Sequence, residues 1–381
     1  MSPIDHVERL SGELREKLIE QRRAVAVSGT RDAPALPEAV GDLVADQAAL
    51  LSQERREQLT DRILRDTIGL GPVEELLRDP EVEEVLVNGH EEVWIERRGR
   101  LERTAVRFSG EEQLRDVIER VLGPLGRRVD ELSPMADGRL ADGSRVNVII
   151  PPLAVDGASI SIRRFAGIRP DPDELVRRGT FDAELRGLLG DAVAGGRNLI
   201  VSGGTGSGKT TVLNALSSFI GEGERVITIE DAAELSLSQP HVVRLESRPA
   251  GIEGTGEVTI RDLVRNALRM RPDRIVIGEV RGGEAMDLLV ALNTGHRGSL
   301  STVHANSAAD ALRRIETLAM MAGLGMPHKV IREQLVGALD LVLHLERGPG
   351  GSRRAVALSE VVRVAGEPAV RELWHRAGAG L

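Results

Sequence analysis

The sequence predicts an α/β protein in which a C-terminal domain with a mostly parallel sheet follows a smaller α+β domain and an N-terminal helical segment. From about residue 181, apolar strands alternate with glycine-rich loops and helices, the order expected for a sheet covered by helices on both faces. The first half instead has short strand-like runs joined by turns. A chain of 381 residues is long enough for two such domains.

The composition is that of a globular protein and argues against several other classes. Hydrophobic residues make up 41% and charged residues 29% of the chain, and no apolar run approaches the roughly 20 residues of a membrane-spanning helix. The net charge of −9 and the aromatic content of 2% argue against a protein that binds nucleic acid through phosphates or base stacking. The chain has no cysteine and its charged N-terminus lacks a signal-peptide core, so we expect a cytoplasmic protein without disulfides.

The first 65 residues form a predicted N-terminal helical region, residues 1–65. Residues 4–23 and 38–68 repeat apolar side chains at helical spacing. The stretch between them, 24–37, contains Gly, Ser and two prolines and is predicted to be a linker.

An α+β domain is predicted at residues 66–165. Residues 79–108 alternate polar and apolar side chains like short strands, and the stretches at 144–152 and 158–165 form a second predicted strand pair. Between these strands, "SGEEQLRDVIERVL" has the pattern of a helix that is capped by Ser109.

The C-terminal domain, residues 181–381, follows a predicted interdomain linker at 166–180. Its most specific motif is "GGTGSGKT" at 203–210, which matches G-x-x-x-x-G-K-[ST] between an apolar strand and a helix. Glycines let the backbone wrap around phosphate, and successive N–H groups at a helix N-terminus supply the field that an anion needs. We therefore predict a P-loop. Its nucleotide-binding residues are Gly203, Gly204, Thr205, Gly206, Ser207, Gly208, Lys209, Thr210 and Thr211.

Lysine is rare in this chain, which makes Lys209 conspicuous. Only three of the 50 Lys and Arg residues are lysine, and one of them completes the P-loop motif. Lys209 is expected to reach the β- and γ-phosphates, and the hydroxyl of Thr210 is expected to ligate Mg²⁺. The predicted ligands are therefore ATP and Mg²⁺.

Two further predicted strands end on acids. "RVITIEDAAEL" contains Glu230, Asp231 and Glu234, and "RIVIGEVRGGEA" contains Glu279. Ligands of open α/β sheets lie beyond the carboxyl ends of the strands, so we expect these acids near the P-loop rather than in a solvated turn. Glu230 is the predicted base, with Glu234 as the alternative. Glu279 is predicted to hold Mg²⁺ directly or through water, alone, because Gly278 stands where many nucleotide hydrolases have aspartate.

The stretch "NTGHRGSLSTVHANS" contains His296 and His304 among small residues. The sequence argues against a zinc pair, because the chain has no cysteine and a spacing of eight residues gives no tetrahedral signature. We predict a γ-phosphate sensor or a contact to metal-bound water, with structural histidines as the alternative.

Together these motifs resemble the secretion ATPase superfamily, the hexameric motors of type II and type IV secretion and of type IV pili. The resemblance rests on the P-loop, the acidic box "TIEDAAEL", the Walker B strand "IVIGEVRGGEA" and the two-histidine box. In this group the acidic box supplies the acids that other nucleotide hydrolases carry in Walker B. Stretches such as "GRRVDELSPMADGRLADGSRVNVIIPP" look most like the CpaF/TadA-type branch, which powers tight-adherence (Flp-type) pili, and the resemblance covers roughly residues 70–365.

The resemblance implies a RecA-like P-loop NTPase domain, assembly into a hexamer, and ATP bound between the N- and C-terminal domains. Arg145 and Arg163 match arginines of the N-terminal domain that are thought to reach the nucleotide, with Arg164 as the alternative to Arg163. Arg297 departs from the pattern, since many relatives have an acid there. Polytopic inner-membrane platform proteins are the implied partners and would recruit the protein to the cytoplasmic face of the membrane, with no direct nucleic-acid partner.

The hypothesis from the sequence is a Mg-dependent ATPase that converts hydrolysis of ATP to ADP and phosphate into movement of one domain against the other. The work would be assembly of a Flp/Tad-type pilus or a related secretion apparatus. One alternative is a type IV secretion or conjugal-transfer ATPase with the same catalytic core. Another is a nucleotide-dependent switch or scaffold with little turnover.

Overall fold

The computed structural model describes residues 36–48, 51–97, 99–165, 171–251, 254–348 and 351–376, together with the helical positions Leu14, Lys17 and Leu18. The chain divides into two compact units between Ala166 and Gly167. Within the described ranges, no helix is both long enough and apolar enough to cross a membrane.

The N-terminal unit begins with two helices, α1 (Leu36–Gln47) and α2 (Gln53–Ile68), whose buried side chains form a small core of their own. Leu14 and Leu18 belong to this core. The rest of the helix predicted at 4–23, and residues 24–35 of the predicted linker, lie outside the described residues. Helix α1 starts at Leu36 and so includes the last two residues of that predicted linker.

The rest of this unit is an antiparallel sheet with helix α4 packed on it. A 3₁₀ turn at Gly71–Val73 and helix α3 (Glu74–Arg78) precede the sheet, and α4 spans Glu111–Leu122. The strands are β1 (Val82–Asn88), β2 (Glu92–Arg97), β3 (Arg100–Arg103), β4 (Met135–Arg139), β5 (Arg145–Ile149) and β6 (Ser159–Arg163). Their order is β3-β2-β1-β6-β5-β4, and the apolar face of α4 shares one core with the sheet.

The start of α4 differs from the prediction. Its N-cap residue is Gly110, and no side chain caps the first turn. The side chain of Gln113 instead accepts hydrogen bonds from the backbone N–H and the hydroxyl of Ser109, at 2.7 and 3.0 Å. The predicted Ser109 cap was wrong because this hydroxyl donates to the glutamine rather than accepting from the helix backbone.

The C-terminal unit contains an eight-stranded sheet with helices on both faces. Its strands are β7 (Leu199–Gly203), β8 (Val226–Glu230), β9 (Val242–Glu246), β10 (Arg274–Val280), β11 (Leu300–His304), β12 (Leu341–Arg347), β13 (Arg353–Val364) and β14 (Glu367–His375). Its helices are α5 (Pro172–Arg177), α6 (Ala183–Ala194), α7 (Lys209–Ser217), α8 (Ile260–Ala267), α9 (Glu284–Asn293), α10 (Ala308–Met320) and α11 (His328–Ala338).

The strands of this sheet lie in the order β14-β13-β12-β7-β11-β10-β8-β9. The six strands from β12 to β9 are parallel, and β13 and β14 add an antiparallel edge. The predicted α/β class, with a mostly parallel sheet, is confirmed. The carboxyl ends of the parallel strands share one edge, where β7 leads into the P-loop.

Each face of this sheet has its own core. Helices α6 and α7 pack on one face, against Leu199, Val201 and Val276 among others. Helices α8 to α11 pack on the opposite face, against side chains that include Ile275 and Ile277. We call these the α7 face and the α9 face. A side chain that is to meet the P-loop has to lie on the α7 face.

Two helix starts show how local chemistry sets the boundaries. Thr259 caps α8, and its side chain and that of Asp262 form the reciprocal bonds of a capping box. Part of the linker predicted at 166–180 is helical instead, because Asp171 accepts a hydrogen bond from the backbone of Glu174 and Pro172 occupies the first position of α5.

A buried arginine joins three parts of the chain at the amino end of the sheet. Arg274 is 5% exposed. Its Nη1 donates to the carbonyl oxygens of Val193 and Gly298 at 3.1 Å, and its Nε and Nη2 donate to Glu224. Gly298 has φ of +75°, and a Cβ built there would lie 1.4 Å from Nη1 of Arg274. Only glycine therefore leaves room for this arginine.

We expect Gly298→Ala to lower the free energy of unfolding by about 3 kcal/mol, because it adds backbone strain and expels a buried guanidinium from its partners. Gly295→Ala is the matched control, since Gly295 also has positive φ but a Cβ there would meet no atom within 4 Å. Thermal unfolding of both variants measures the difference. Equal losses in the two variants would show that the steric argument is wrong.

Candidate active site

The loop between β7 and α7 has the backbone geometry of a phosphate cradle. Gly206 and Gly208 have φ of +69° and +91°, which glycine adopts without steric cost. A Cβ built on Gly204 would meet no heavy atom within 4 Å, so the loop is open at that residue. Helix α7 begins at Lys209, and the N–H groups of its first turn have no intrahelical acceptor. This arrangement fits a bound polyphosphate.

Lys209 lies between the loop and a carboxylate. Its Nζ donates to the carbonyl oxygens of Gly203 and Gly204, both at 3.1 Å, and lies 3.8 Å from Oε1 of Glu279. Burial lowers the pKa of Lys209, and the charge of Glu279 opposes that shift. Ser207 stabilises the P-loop from its buried side. Its hydroxyl donates a hydrogen bond across the loop to the carbonyl oxygen of Gly204 at 2.9 Å.

The three threonines of the motif differ in their surroundings. Thr205 is exposed at the tip of the loop, while Thr210 and Thr211 are half-buried in the first turn of α7. Mg²⁺ prefers oxygen ligands and commonly binds through one or two protein groups plus substrate phosphates. The hydroxyl of Thr210 and the carboxylate of Glu279 are oxygen donors of this kind, so the residues fit Mg²⁺ bound together with a nucleotide.

A β-bulge directs Glu279 to the α7 face. The pairing of β10 with β11 shifts between Ile277 and Val280, where β10 has one residue more than its partner. Ile277 and Val280 both pack in the core of the α9 face. The two residues between them, Gly278 and Glu279, therefore both turn toward the α7 face. Simple alternation along the strand would have placed Glu279 on the same face as Ile277.

Gly278 makes room for Glu230 of the neighbouring strand β8. A Cβ built on Gly278 would lie 2.9 Å from Cγ and 3.4 Å from Oε2 of Glu230. The first distance is shorter than a normal non-bonded contact, so a side chain at position 278 would displace this glutamate. An acid is therefore present beside Glu279 at this sheet edge, although it comes from β8 and not from β10.

Glu230 is a buried carboxyl with one free oxygen. It is 4% exposed, and its Oε2 accepts the backbone N–H groups of Glu234 and Leu235 at 2.8 and 2.9 Å. Its Oε1 is buried without a hydrogen-bond partner among the described residues. Burial raises the pKa of Glu230 to about 7, against the lowering effect of the two N–H groups. A carboxylate that titrates near neutral pH suits proton transfer.

Arg281 is a site residue that the sequence motifs did not indicate. Its Nε and Nη2 donate to Oε2 of Glu279 at 2.8 and 2.5 Å, and its Nη1 lies 3.8 Å from Oδ2 of Asp231. It therefore connects the Walker B carboxylate with the acidic box. In the sequence, only its position two residues after Glu279 could have indicated that Arg281 belongs to the site. That indication is weak, because this chain contains many arginines.

The other two acids of the box lie nearer the surface. Asp231 is exposed and accepts a hydrogen bond from the hydroxyl of Ser247 at 3.2 Å. Glu234 is half-buried, and its backbone N–H is one of the two donors to Glu230. Assignment of the base to Glu230 rather than Glu234 stays a prediction, and the raised pKa of Glu230 favours it.

The two histidines of the predicted box are at opposite ends of β11. His304 is the last residue of this strand and pairs with Gly203 at the start of the P-loop. His296 precedes the strand, and its Nδ1 lies 3.1 Å from the carbonyl oxygen of Ala291 at the end of α9. The strand alone spans about 13 Å. Because β11 runs parallel to β7, its carboxyl end is the end that reaches the P-loop. The contact of His296 with Ala291 favours the structural alternative for this histidine, and its role in phosphate sensing stays a prediction.

The predicted nucleotide-contacting arginines lie on the sheet of the N-terminal unit. Arg145 at the start of β5 pairs with Arg163 at the end of β6, and Arg163 also pairs with Glu84 of β1. Arg163 is exposed. Arg164 has a structural contact, since its Nη1 donates to the carbonyl oxygen of Asp79 at 2.5 Å. Of the two neighbours, Arg163 is therefore better placed for a ligand, and its contact with a nucleotide stays a prediction.

Two relatives show the similarity of this chain to known proteins. A putative conjugal transfer protein of Mycobacterium tuberculosis (strain H37Rv) is 39% identical over 321 residues, which cover 82% of this chain and 91% of that protein. The conjugal transfer protein TrbB of Rhizobium radiobacter is 33% identical over 322 residues, or 83% and 94% of the two chains.

Among solved structures, the Legionella pneumophila ATPase DotB aligns with a TM-score of 0.52 and 21% identity, over 76% of this chain and 79% of that chain. This likeness establishes the fold and agrees with the secretion-ATPase fold that the motifs predicted. The CpaF/TadA-type branch stays a prediction. The family described as Type II/IV secretion system protein matches residues 66–370, and this chain belongs to it.

Proposed function

We propose that this chain hydrolyses MgATP and is the motor subunit of a type II/IV secretion apparatus. The observation that carries the proposal is the convergence of Lys209, Glu279 and Glu230 at the carboxyl edge of one parallel sheet, beside an open glycine loop. Phosphoryl transfer depends on positioning and charge neutralisation more than on covalent chemistry. A half-buried lysine, two carboxylates and a set of backbone N–H groups can supply both the positioning and the charge neutralisation.

Each of these residues has a distinct proposed role. Lys209 offsets the charge of the β- and γ-phosphates. Thr210 and Glu279 would hold Mg²⁺, which would neutralise charge on the transferring phosphoryl group. Glu230 takes a proton from the attacking water at Oε1, while the water oxygen bonds to the γ-phosphorus and ADP leaves. His304, paired with Gly203 at the loop, contacts the γ-phosphate.

Arg281 has a positioning role in this proposal, because it holds the carboxylate of Glu279 on one oxygen and leaves Oε1 toward Lys209. Arg145 and Arg163 would reach the nucleotide of a neighbouring copy in a hexamer. Such an arginine can contribute roughly 10³–10⁵ in rate, which would make hydrolysis depend on assembly.

The motif stretches of the CpaF/TadA type support a Flp/Tad-type pilus as the apparatus, with polytopic inner-membrane platform proteins as partners. Conjugal transfer is the second candidate, and the names of the M. tuberculosis and R. radiobacter relatives favour it. Deletion of the gene separates the two, since the first predicts loss of surface pili and the second predicts loss of DNA transfer between cells.

We expect ATP turnover per subunit to rise with protein concentration, because an arginine supplied by a neighbouring copy completes the site only in the assembly. Phosphate release, measured over a concentration series with Mg²⁺ and again with excess EDTA, tests this. EDTA should abolish turnover at every concentration. Constant turnover in a protein that stays monomeric would contradict the contribution of a neighbouring copy, and tight ATP binding without turnover would favour the nucleotide-dependent switch.

A further inference from the structure

The hairpin between β12 and β13 brings arginines to the P-loop. Strand β12 is the parallel neighbour of β7, and their last paired residues are Leu345 and Gly203. Strand β12 continues to Arg347, which pairs across the hairpin with Arg353, the first residue of β13. The hairpin therefore stands at the sheet edge where the P-loop begins.

Strand alternation places both arginines on the α7 face. Leu341, Leu343 and Leu345 of β12 all belong to the core beneath α7, and Arg347 is the next residue in that series. Arg353 precedes Ala355, another member of the same core, by two residues. The two side chains thus share the face on which the P-loop and α7 lie.

Each arginine contacts a different glycine of the loop. A Cβ built on Gly206 would lie 3.3 Å from Nη1 of Arg347, so the guanidinium of Arg347 is next to this glycine. A Cβ built on Gly208 would lie 3.2 Å from Cδ of Arg353, with Cβ and Cγ of the same side chain at 3.7 and 3.8 Å. The aliphatic part of Arg353 therefore lies along Gly208.

The charge of this hairpin favours an anion. Arg347 and Arg353 lie directly opposite each other on antiparallel strands, so two guanidinium groups meet at the end of the hairpin. Both side chains are exposed, so a ligand in the loop can reach them. A guanidinium group presents a fork of donors that matches phosphate oxygens.

We propose that Arg347 is a further binding residue of the nucleotide site, with its guanidinium on a phosphate of the nucleotide held by the same chain. The stem of Arg353 packs on the P-loop beside it. This inference rests on the proposed function, and it differs from the roles of Arg145 and Arg163, which lie on the N-terminal unit and are proposed to act on a neighbouring copy.

Titration with a fluorescent ATP analogue, mant-ATP with Mg²⁺, tests the proposal on the full chain. We expect Arg347→Met to weaken binding about 10-fold, the lower range for a hydrogen bond to a charged group. Arg347→Lys should recover part of the loss, because lysine keeps the charge but not the fork. Arg363→Met is the matched control, since Arg363 is exposed near the far end of β13 and its replacement should leave binding unchanged.

Two further readouts separate a phosphate contact from a structural role. The difference between wild type and Arg347→Met should shrink as salt rises, because exposed charges are screened, and the thermal midpoint should stay the same. Unchanged affinity in Arg347→Met, or a loss that is independent of salt, would overturn the proposal. Absence of saturable mant-ATP binding by the wild type would instead overturn the proposed function itself.

Discussion

Replacing Lys209 with alanine is expected to lower ATP turnover at least 10²–10³-fold, the usual loss when one donor to the developing charge of a transition state is removed. Lys209 is the cation of the P-loop, between the loop carbonyl oxygens and Glu279. Folding should not suffer. Burial lowers the pKa of Lys209, so the charged ammonium is disfavoured where it lies and its removal brings no large loss of stability.

Lys329→Ala is the matched control, because Lys329 is exposed and lies outside the active site. Steady-state phosphate release and thermal unfolding of both variants separate lost chemistry from lost structure. Turnover in Lys209→Ala above a tenth of the wild-type rate, with ATP still bound, would mean that this P-loop lysine does not act on the transferring phosphate.

Much of the site could be predicted because its motifs are local. The P-loop residues stand together in sequence, and a strand, a glycine turn and a helix define their geometry without reference to the rest of the chain. The acids Glu230 and Glu279 could be predicted for a related reason: each is at or near the carboxyl end of its strand, and parallel strands share that edge.

The remaining features depend on tertiary structure that the motifs do not encode. The direction of Glu279 follows from a bulge, and the need for glycine at 278 follows from the order β10-β8, which places Glu230 beside it. Arg347 meets the P-loop only because β12 is the neighbour of β7. The motif also did not show that the length of β11 separates His296 from His304, although the two histidines are close in sequence.

Replacing Glu230 with glutamine is expected to lower turnover about 10²–10⁴-fold at pH 8, the range for loss of a general base. Glutamine has nearly the same shape, and its amide oxygen can still accept the N–H groups of Glu234 and Leu235. The fold should therefore persist. Single-turnover phosphate release with saturating ATP measures the chemical step directly.

The pH dependence of the wild type gives a second, independent measure of the same residue. A base must be ionised to accept a proton, and the pKa of Glu230 is raised to about 7. Wild-type turnover should therefore rise between pH 6 and pH 8 with a midpoint near 7. The residual activity of Glu230→Gln should lack this rise.

The stability of the wild type should change in the opposite direction. Between pH 4.5 and about 7 the folded state binds more protons at Glu230 than the unfolded state does, so the free energy of unfolding falls as pH rises through this range. The full effect is about 3 kcal/mol. Glu230→Gln removes the titration, and we expect its thermal midpoint to exceed that of wild type by several degrees at pH 8.

If Glu230→Gln is both nearly inactive and more stable than wild type, then the buried carboxylate of Glu230 lowers the stability of the fold and is required for turnover. Neither observation alone would assign the base. A carboxylate without a catalytic role can also lower stability when it is buried, and a variant with a distorted site can also be inactive. Glu234→Gln is the matched comparison in the same acidic box. If that variant lost turnover while Glu230→Gln kept it, Glu234 would be the base, and the burial of Glu230 beside Gly278 would serve the packing of β8 on β10.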